Sequence, residues 1–413
     1  MEARNGWRVG RRWFGDGAVA ARKNMEGIER KREEVLRVRT ERLASARQVL
    51  LYLAPDLSIE AQREAIALAE RLGARADGVA SDTVAESILA GQRRGRAAVT
   101  LGEVLNRADV LLFWGVDPQQ RYPRYLSRYA AEPKGLFTPE GRRSRTIISA
   151  DIGEARGPAD ADFRIAIAPG QELDALAILR ASARGNLGLN PPGLPAELLA
   201  IAERLAHARY AVIVNDAEPG SGLSVEPART EALIALAQAL NGPTRAALST
   251  LRAGGNRSGA EAVMLWQTGF PFAVDFARGF PRYRPEESAG QLVARGGVSL
   301  TFVVGSAAGI PDAMQAALKG LPAPASTIIL GPRARAASFP FVAAIDTGKA
   351  GIHEGGTVYR IGDIPLTRHT ALPGPAGTAA NLRPLSGRAG RHGGGSAPTA
   401  RGSRGGPVPR LRL

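Results

Sequence analysis

Residues 266–283 read Trp-Gln-Thr-Gly-Phe-Pro-Phe-Ala-Val-Asp-Phe-Ala-Arg-Gly-Phe-Pro-Arg-Tyr. Two Gly-Phe-Pro turns, Gly269-Phe270-Pro271 and Gly279-Phe280-Pro281, bracket an apolar run that carries one acid, Asp275, and one base, Arg278. Glycine supplies a positive φ and proline fixes φ, so each turn is pinned from both sides. Four of the chain's eleven phenylalanines fall within these residues, a high density for so aromatic-poor a protein. Asp275 and Arg278 are expected to form a buried or interface ion pair that orients the two turns, because such pairs more often hold structure than perform chemistry.

Outward from this segment, short apolar runs alternate with helical patterns. Gln48–Leu53, Asp109–Trp114, Thr146–Asp151, Tyr210–Asn215, Val298–Gly305, Thr327–Leu330 and Phe341–Ile345 read as strands. Runs apolar at nearly every position suit parallel strands covered on both faces. Ser58 caps a helix that runs through Arg71-Leu72 and stops at Gly73, and 101–107, 173–183, 195–207 and 230–241 are further helices. Thr357–Ile361 and Ile364–Leu366 flank Gly362-Asp363 as a short hairpin. Strands interleaved with helices at this spacing predict βαβ units and a doubly wound α/β fold.

The chain of 413 residues carries a formal charge of +15, but the charge is not spread over the body. Residues 1–50 hold +6 and residues 367–413 hold +8, which leaves +1 for everything between. A neutral body with basic ends argues against a nucleic-acid groove across a folded surface. The Arg-Gly segments at 388–391 and 401–406 lack any aromatic residue for base stacking, since none follows Tyr359, so nucleic acid is not an expected partner. There is no cysteine, which excludes disulfides, Fe–S clusters and cysteine-bound zinc. No apolar run reaches membrane-spanning length. Arg11-Arg12-Trp13-Phe14 resembles an export signal, but no apolar core follows it, and a cytoplasmic location is expected. The histidines at 207, 353, 369 and 392 show no metal-ligand spacing, and His353-Glu354 lacks a second histidine at 357.

The segment 266–283 closely resembles the corresponding stretch of the B subunit of formylmethanofuran dehydrogenases. Further matches follow in order over roughly residues 47–370: Arg71–Ala74, Ser87–Ala90, Thr100–Val104, Asn106–Asp109, Trp114-Gly115 with Pro118, Pro123-Arg124, Leu126–Tyr129, and Glu354 with Gly356-Thr357 and Tyr359-Arg360. The resemblance implies two intertwined doubly wound, Rossmann-like domains of the molybdopterin oxidoreductase type. These cradle a bis-pterin tungsten or molybdenum centre, with a cysteine-ligated [4Fe–4S] cluster N-terminal to them.

The chain departs from that pattern where the chemistry should lie. The family implies a cysteine-histidine pair a few residues before Ser87, with the cysteine ligating the metal, and that pair falls on Thr83-Val84 here. A threonine hydroxyl is a poor substitute for a soft thiolate, and valine has no proton to exchange. Ser306-Ala-Ala-Gly309 lacks the acid expected after the preceding strand, and Asp117 replaces the commoner asparagine. Residues 1–46 contain no cluster ligand. Pterin, W/Mo and [4Fe–4S] are therefore expected to be absent.

A version of this protein type without redox centres belongs to the bacterial formyltransferase/hydrolase complex. The resemblance then implies the A, C and D subunits of that complex as partners. It also implies transfer of a formyl group from tetrahydromethanopterin to a methanofuran analogue, followed by hydrolysis to formate. In this reading the chain is a non-catalytic scaffold, with Trp266, Gly269, Pro271, Asp275, Arg278, Gly279, Pro281, Arg282 and Tyr283 as structural or subunit-contact residues. The alternative is a redox-active dehydrogenase subunit. The basic termini suit loose holding of the polyglutamate arm of the carrier. The expected organisation is a basic extension with a charged helix over 1–46, a first α/β domain of 47–155 plus 290–370, a second of 156–289, and a disordered tail over 371–413.

Overall fold

The computed structural model describes residues 48–116, 118–154, 156–186, 193–216, 228–321 and 327–389. The predicted N-terminal helix and the Arg-Gly end of the tail lie outside these residues.

The described residues open with β1 (Val49–Leu53), buried along its whole length, and α1 (Ile59–Arg71). Ser58 accepts a hydrogen bond from the Ala61 amide at 3.2 Å to start α1, and Gly73 with φ +60° ends it, as the sequence predicts. Next come β2 (Arg75–Gly78), α2 (Val79–Thr83), α3 (Ala85–Arg94) and α4 (Leu101–Arg107), the last begun by a Thr100/Glu103 capping box. A contiguous stretch then supplies β3 (Val110–Trp114), the single turn α5 (Pro118–Arg121), β4 (Thr146–Ile152), β5 (Phe163–Ile167), α6 (Glu172–Ala183), α7 (Glu197–Ala206), β6 (Ala211–Asp216), α8 (Arg229–Leu240) and β7 (Ala246–Leu251). After it come α9 (Arg257–Thr268), β8 (Val274–Asp275), β9 (Arg282–Tyr283), α10 (Ala289–Ala294), β10 (Leu300–Val304), α11 (Asp312–Lys319), β11 (Thr327–Gly331) and β12 (Ala343–Asp346). The hairpin β13 (Gly356–Tyr359) and β14 (Pro365–Arg368) and the helix α12 (Thr378–Ala389) complete the described chain.

Two sheets result. The first has the order β12-β11-β10-β1-β2-β8-β9, with β10, β11, β12, β1 and β2 parallel and the two-residue strands β8 and β9 added antiparallel. The second, β5-β4-β3-β6-β7, is parallel throughout. Each carries apolar clusters on both faces: Val49, Leu51 and Leu53 point to one side of the first sheet, and Leu50 and Tyr52 to the other. Burial on both faces is why β1 and β3 are apolar at every position.

Two organisational expectations need correction. The sheets divide the chain at 49–78 plus 274–346 and at 110–251, so β3 and β4 belong with the second unit, while β8 and β9 of the signature segment belong with the first. The apolar run of β3 looks like that of β1, and nothing within either run says which neighbours a crossover will supply. Within the tail, expected to be disordered from 371, residues Thr378–Ala389 instead form α12. Ala379, Leu382 and Leu385 of α12 are buried in the same cluster as Ala61, Ala65 and Leu68 of α1. Glu354 caps α12, accepting from the Thr378 amide at 2.9 Å and the Ala379 amide at 3.1 Å, and Arg383 reaches Glu64 at 3.1 Å. The Gly/Pro/Ala composition hid a helix anchored by a residue far upstream. Replacing the fully buried Leu382 with alanine should destabilise the chain by about 2–5 kcal/mol, measured by equilibrium urea unfolding.

Candidate functional site

Pro271 and Phe272 of the segment 266–283 lie near the C-terminal ends of β1 and β2, and β8 then runs antiparallel along the edge of β2, with Asp275 opposite Arg75. α9 ends at Gly269, whose φ is +84° and whose amide donates to the Leu265 carbonyl at 2.9 Å. Gly279 closes the second turn with φ +79° and a 2.9 Å hydrogen bond to the Phe276 carbonyl. Both turns thus use the positive φ that their glycines permit. Aromatic contact joins them: Phe270 stacks on Tyr283 at 5.0 Å and Phe272 meets the same ring edge-on at 5.5 Å.

The acid–base pair is not the predicted one. Asp275 binds Arg282, its antiparallel register partner, and accepts from the Ala277 amide at 2.9 Å, while Arg278 is exposed. Burial raises the Asp275 pKa, but the Ala277 and Arg282 donors outweigh it and hold the carboxyl below its usual range. Pro271 is buried, and Pro281, Arg282 and Tyr283 are half-buried. Trp266 stands 60% exposed, 6.4 Å from the Tyr359 ring, and Phe280 is 55% exposed.

The Thr83-Val84 position sits directly beneath this loop. Thr83 ends α2 with its hydroxyl donating to the Val79 carbonyl at 2.8 Å. Val84 is buried in a small cluster with Ala80, Phe272 and Ala273, and Tyr283 packs against it. Two parts of the sequence read separately therefore meet in space.

Sequence reading missed the acids that hold this junction. Asp77, at the end of β2, is fully buried and accepts from the Gly78 amide at 2.9 Å and the Ala273 amide at 3.1 Å. The second bond pins Ala273 at φ +50°, a conformation costly for a residue with a side chain. Asp82 accepts from the Tyr52 hydroxyl at 2.8 Å and the Gly290 amide at 3.0 Å, which ties β1, α2 and α10 together. Burial raises the Asp77 pKa to about 7, opposed by Arg75 and reinforced by Asp82. Burial likewise raises Asp56 to about 6. The only available signal was the dipeptide Asp77-Gly78 at the end of a short strand.

Beside this junction a small cleft opens at the C-terminal ends of β1 and β2, with Gly78, Val79, Asn256, Glu261, Pro271 and Phe272 among its walls. In the second sheet the crevice at the topological switch point, between the ends of β3 and β6, is filled from within. Arg229 pairs with Glu172 and donates to the Trp114 carbonyl at 2.9 Å, and the Trp114 indole donates to Glu172 at 2.7 Å. Asp117 lies outside the described residues. Ser306 donates its amide to the Pro55 carbonyl at 2.9 Å, and Gly309 packs close to the Pro55 ring. Among the described residues no group of three or more His, Cys, Asp or Glu is placed to hold a metal, and no helix is long and apolar enough to cross a membrane.

No family model matches the chain. It is 31% identical over 352 residues to the B subunit of the tungsten-containing formylmethanofuran dehydrogenase 2 of Methanocaldococcus jannaschii, covering 84% of this chain and 79% of that protein. The same-named protein of Methanococcus maripaludis is 30% identical over 346 residues, covering 81% and 77%. The B subunit of the formyltransferase/hydrolase complex of Methylorubrum extorquens is 30% identical over 261 residues, covering 61% and 66%. The structure also superposes on a chain in the crystal structure of that complex with methylofuran, with a TM-score of 0.72, 25% identity, and coverage of 88% of this chain and 97% of that one.

The buried acid makes a pH-dependent contribution to stability. Unfolded, Asp77 loses its proton near the ordinary aspartate value of about 4; folded, it does so only at about 7. Between those values the folded chain binds more protons, so stability falls as pH rises from about 4 to about 7, by at most about 1.4 kcal/mol per unit. Asp77→Asn keeps the acceptor for Ala273 and should flatten this fall, measured as unfolding free energy against pH.

Proposed function

We propose that this chain, which belongs to the family of formylmethanofuran dehydrogenase B subunits, is the non-catalytic scaffold of a formyltransferase/hydrolase complex. The observation that carries this reading is the donor set at Thr83-Val84. A tungsten or molybdenum centre of the family type needs a thiolate, and a chain without cysteine supplies none. The Thr83 hydroxyl is committed to a backbone carbonyl, and Val84 is sealed beneath Phe272 and Ala273. These residues do not fit the metal. Likewise the cleft beside them encloses a free volume of only about 10 Å³, room for about one water molecule, which does not suit two pterin cofactors. The structural likeness to a chain of the Methylorubrum complex supports placement in such an assembly.

In this reading the partners are the amidohydrolase-like A, the β-helical C and the formyltransferase D subunits, and the overall reaction moves a formyl group to a methanofuran analogue and hydrolyses it. None of these steps is a redox step, so the scaffold needs no metal. The signature segment serves as a docking element: its buried half, Pro271 to Phe276, anchors it, and Trp266 and Phe280 face outward. The basic ends of the chain, most of whose residues lie outside the described ones, suit the anionic polyglutamate arm of the carrier.

Purified complex should contain W, Mo and Fe only far below one equivalent by elemental mass spectrometry, and a full equivalent of W or Mo would restore the redox-active reading. Trp266→Asp should weaken recruitment of the chain into the complex at least tenfold, read by competition with wild-type chain. Unchanged recruitment would remove the segment's docking role and leave the rest of the reading intact.

A further inference from the structure

A second element holds apolar side chains in water with unusual rigidity. Between the π-helical turn at Leu126–Ala130 and β4, the chain makes a four-residue turn, Gly135 to Thr138. It is closed by the Gly135 amide on the Thr138 carbonyl at 3.1 Å and the reverse bond at 3.3 Å. Its two central residues are Leu136, 75% exposed, and Phe137, 49% exposed. Single exposed apolar residues are ordinary; what sets these two apart is the machinery beneath them.

Arg145 is buried under the turn and donates to the carbonyls of Ala131 at 3.1 Å, Pro133 at 2.7 Å and Leu105 at 2.7 Å, and to the Thr138 hydroxyl at 2.8 Å. Asn106 takes the Leu136 amide on its side chain at 3.1 Å and the Phe137 amide on its carbonyl at 2.8 Å. The turn lies so close to α4 that a Cβ on Gly135 would stand 2.0 Å from the Leu105 carbonyl oxygen. A buried guanidinium and a web of backbone bonds thus fix the two apolar residues outward. Fixing contact residues before association removes the ordering cost of binding. Apolar and aromatic side chains held in this way behave as anchors for a pocket on a partner.

The charges beside the tip narrow the partner. Arg107 lies over the Phe137 ring at 5.6 Å and makes no ion pair among the described residues. Arg209 donates to the Phe137 carbonyl at 3.2 Å and is already paired with Asp109. The acids of the loop, Glu132 and Glu140, stand at its two ends rather than beside the tip. We propose that the Leu136-Phe137 tip docks into an apolar socket on another subunit of the assembly, one whose rim carries a carboxylate facing Arg107. The proposal rests on the complex-subunit reading and adds an interface separate from residues 266–283, supported on α4 and β4 of the second sheet.

The test is co-expression of the full-length chain with the other three subunits, one of them tagged, followed by competition between wild-type and variant chains. Leu136→Asp, at so exposed a position, leaves the fold untouched and is expected to reduce recruitment at least tenfold. Phe137→Ala should reduce it by a smaller factor. Arg107→Glu should slow association and reverse the salt dependence of the on-rate. Equal recruitment of wild-type and Leu136→Asp chains overturns the docking proposal while the complex-subunit reading stands. So does a variant that keeps its partners but loses self-association, which would make the occupant a second copy of this chain. Failure of the wild-type chain to join the complex overturns both.

Discussion

One buried carboxylate organises the junction on which the signature segment depends. Asp77 sits at the end of β2 without solvent contact and gives one oxygen to the amides of Gly78 and Ala273. Without that acceptor, Ala273 would have little reason to hold φ +50°, and the apolar run between the two Gly-Phe-Pro turns would not cross the end of the sheet at this place. From Ala273 the consequences spread outward. Phe272 falls onto Val84, Phe270 and Tyr283 come face to face, and β8 and β9 add to the sheet edge. A buried acid is costly to desolvate, so the fold retains it where one oxygen can satisfy two donors.

Much of the fold is legible in the sequence because local chemistry decides it. Ser58 and Gly73 bound α1, the apolar runs at 49–53 and 110–114 can only be strands covered on both faces, and Gly269 and Gly279 take the positive φ their turns require. What escaped was set by distance along the chain. Asp275 and Arg278 are three residues apart, a spacing that would pair them on a helix; in an antiparallel ribbon the residue opposite Asp275 is Arg282. α12 depends on Glu354 for its first turn and on α1 for its apolar face, neither visible in residues 371–389. Asp77 lies in the strand Arg-Ala-Asp-Gly, too short and polar to announce itself.

The places where a doubly wound fold usually receives a ligand are, among the described residues, largely taken by the chain's own groups. Arg229 and Glu172 fill the crevice of the second sheet, as Val84 and the signature loop cover the end of the first. Cationic and aromatic groups that elsewhere would meet a bound molecule here meet one another. Such a site exchanges adaptability for rigidity, in keeping with the proposed docking role.

The strand order also dictates when each half of the protein is able to exist during synthesis. The second sheet is complete once residue 251 has emerged, because all its strands lie between 110 and 251. β1, the earliest of the described strands, pairs β2 on one edge but waits for β10 at 300–304 on the other, and α1 keeps an apolar face uncovered until Leu382 and Leu385 arrive. The first sheet is therefore completed only after all strands of the second have been made, with one edge of β1, the edge away from β2, unpaired until then. An apolar face formed this early stays exposed until α12 arrives, so among the described elements it is α12 that ends its exposure to aggregation.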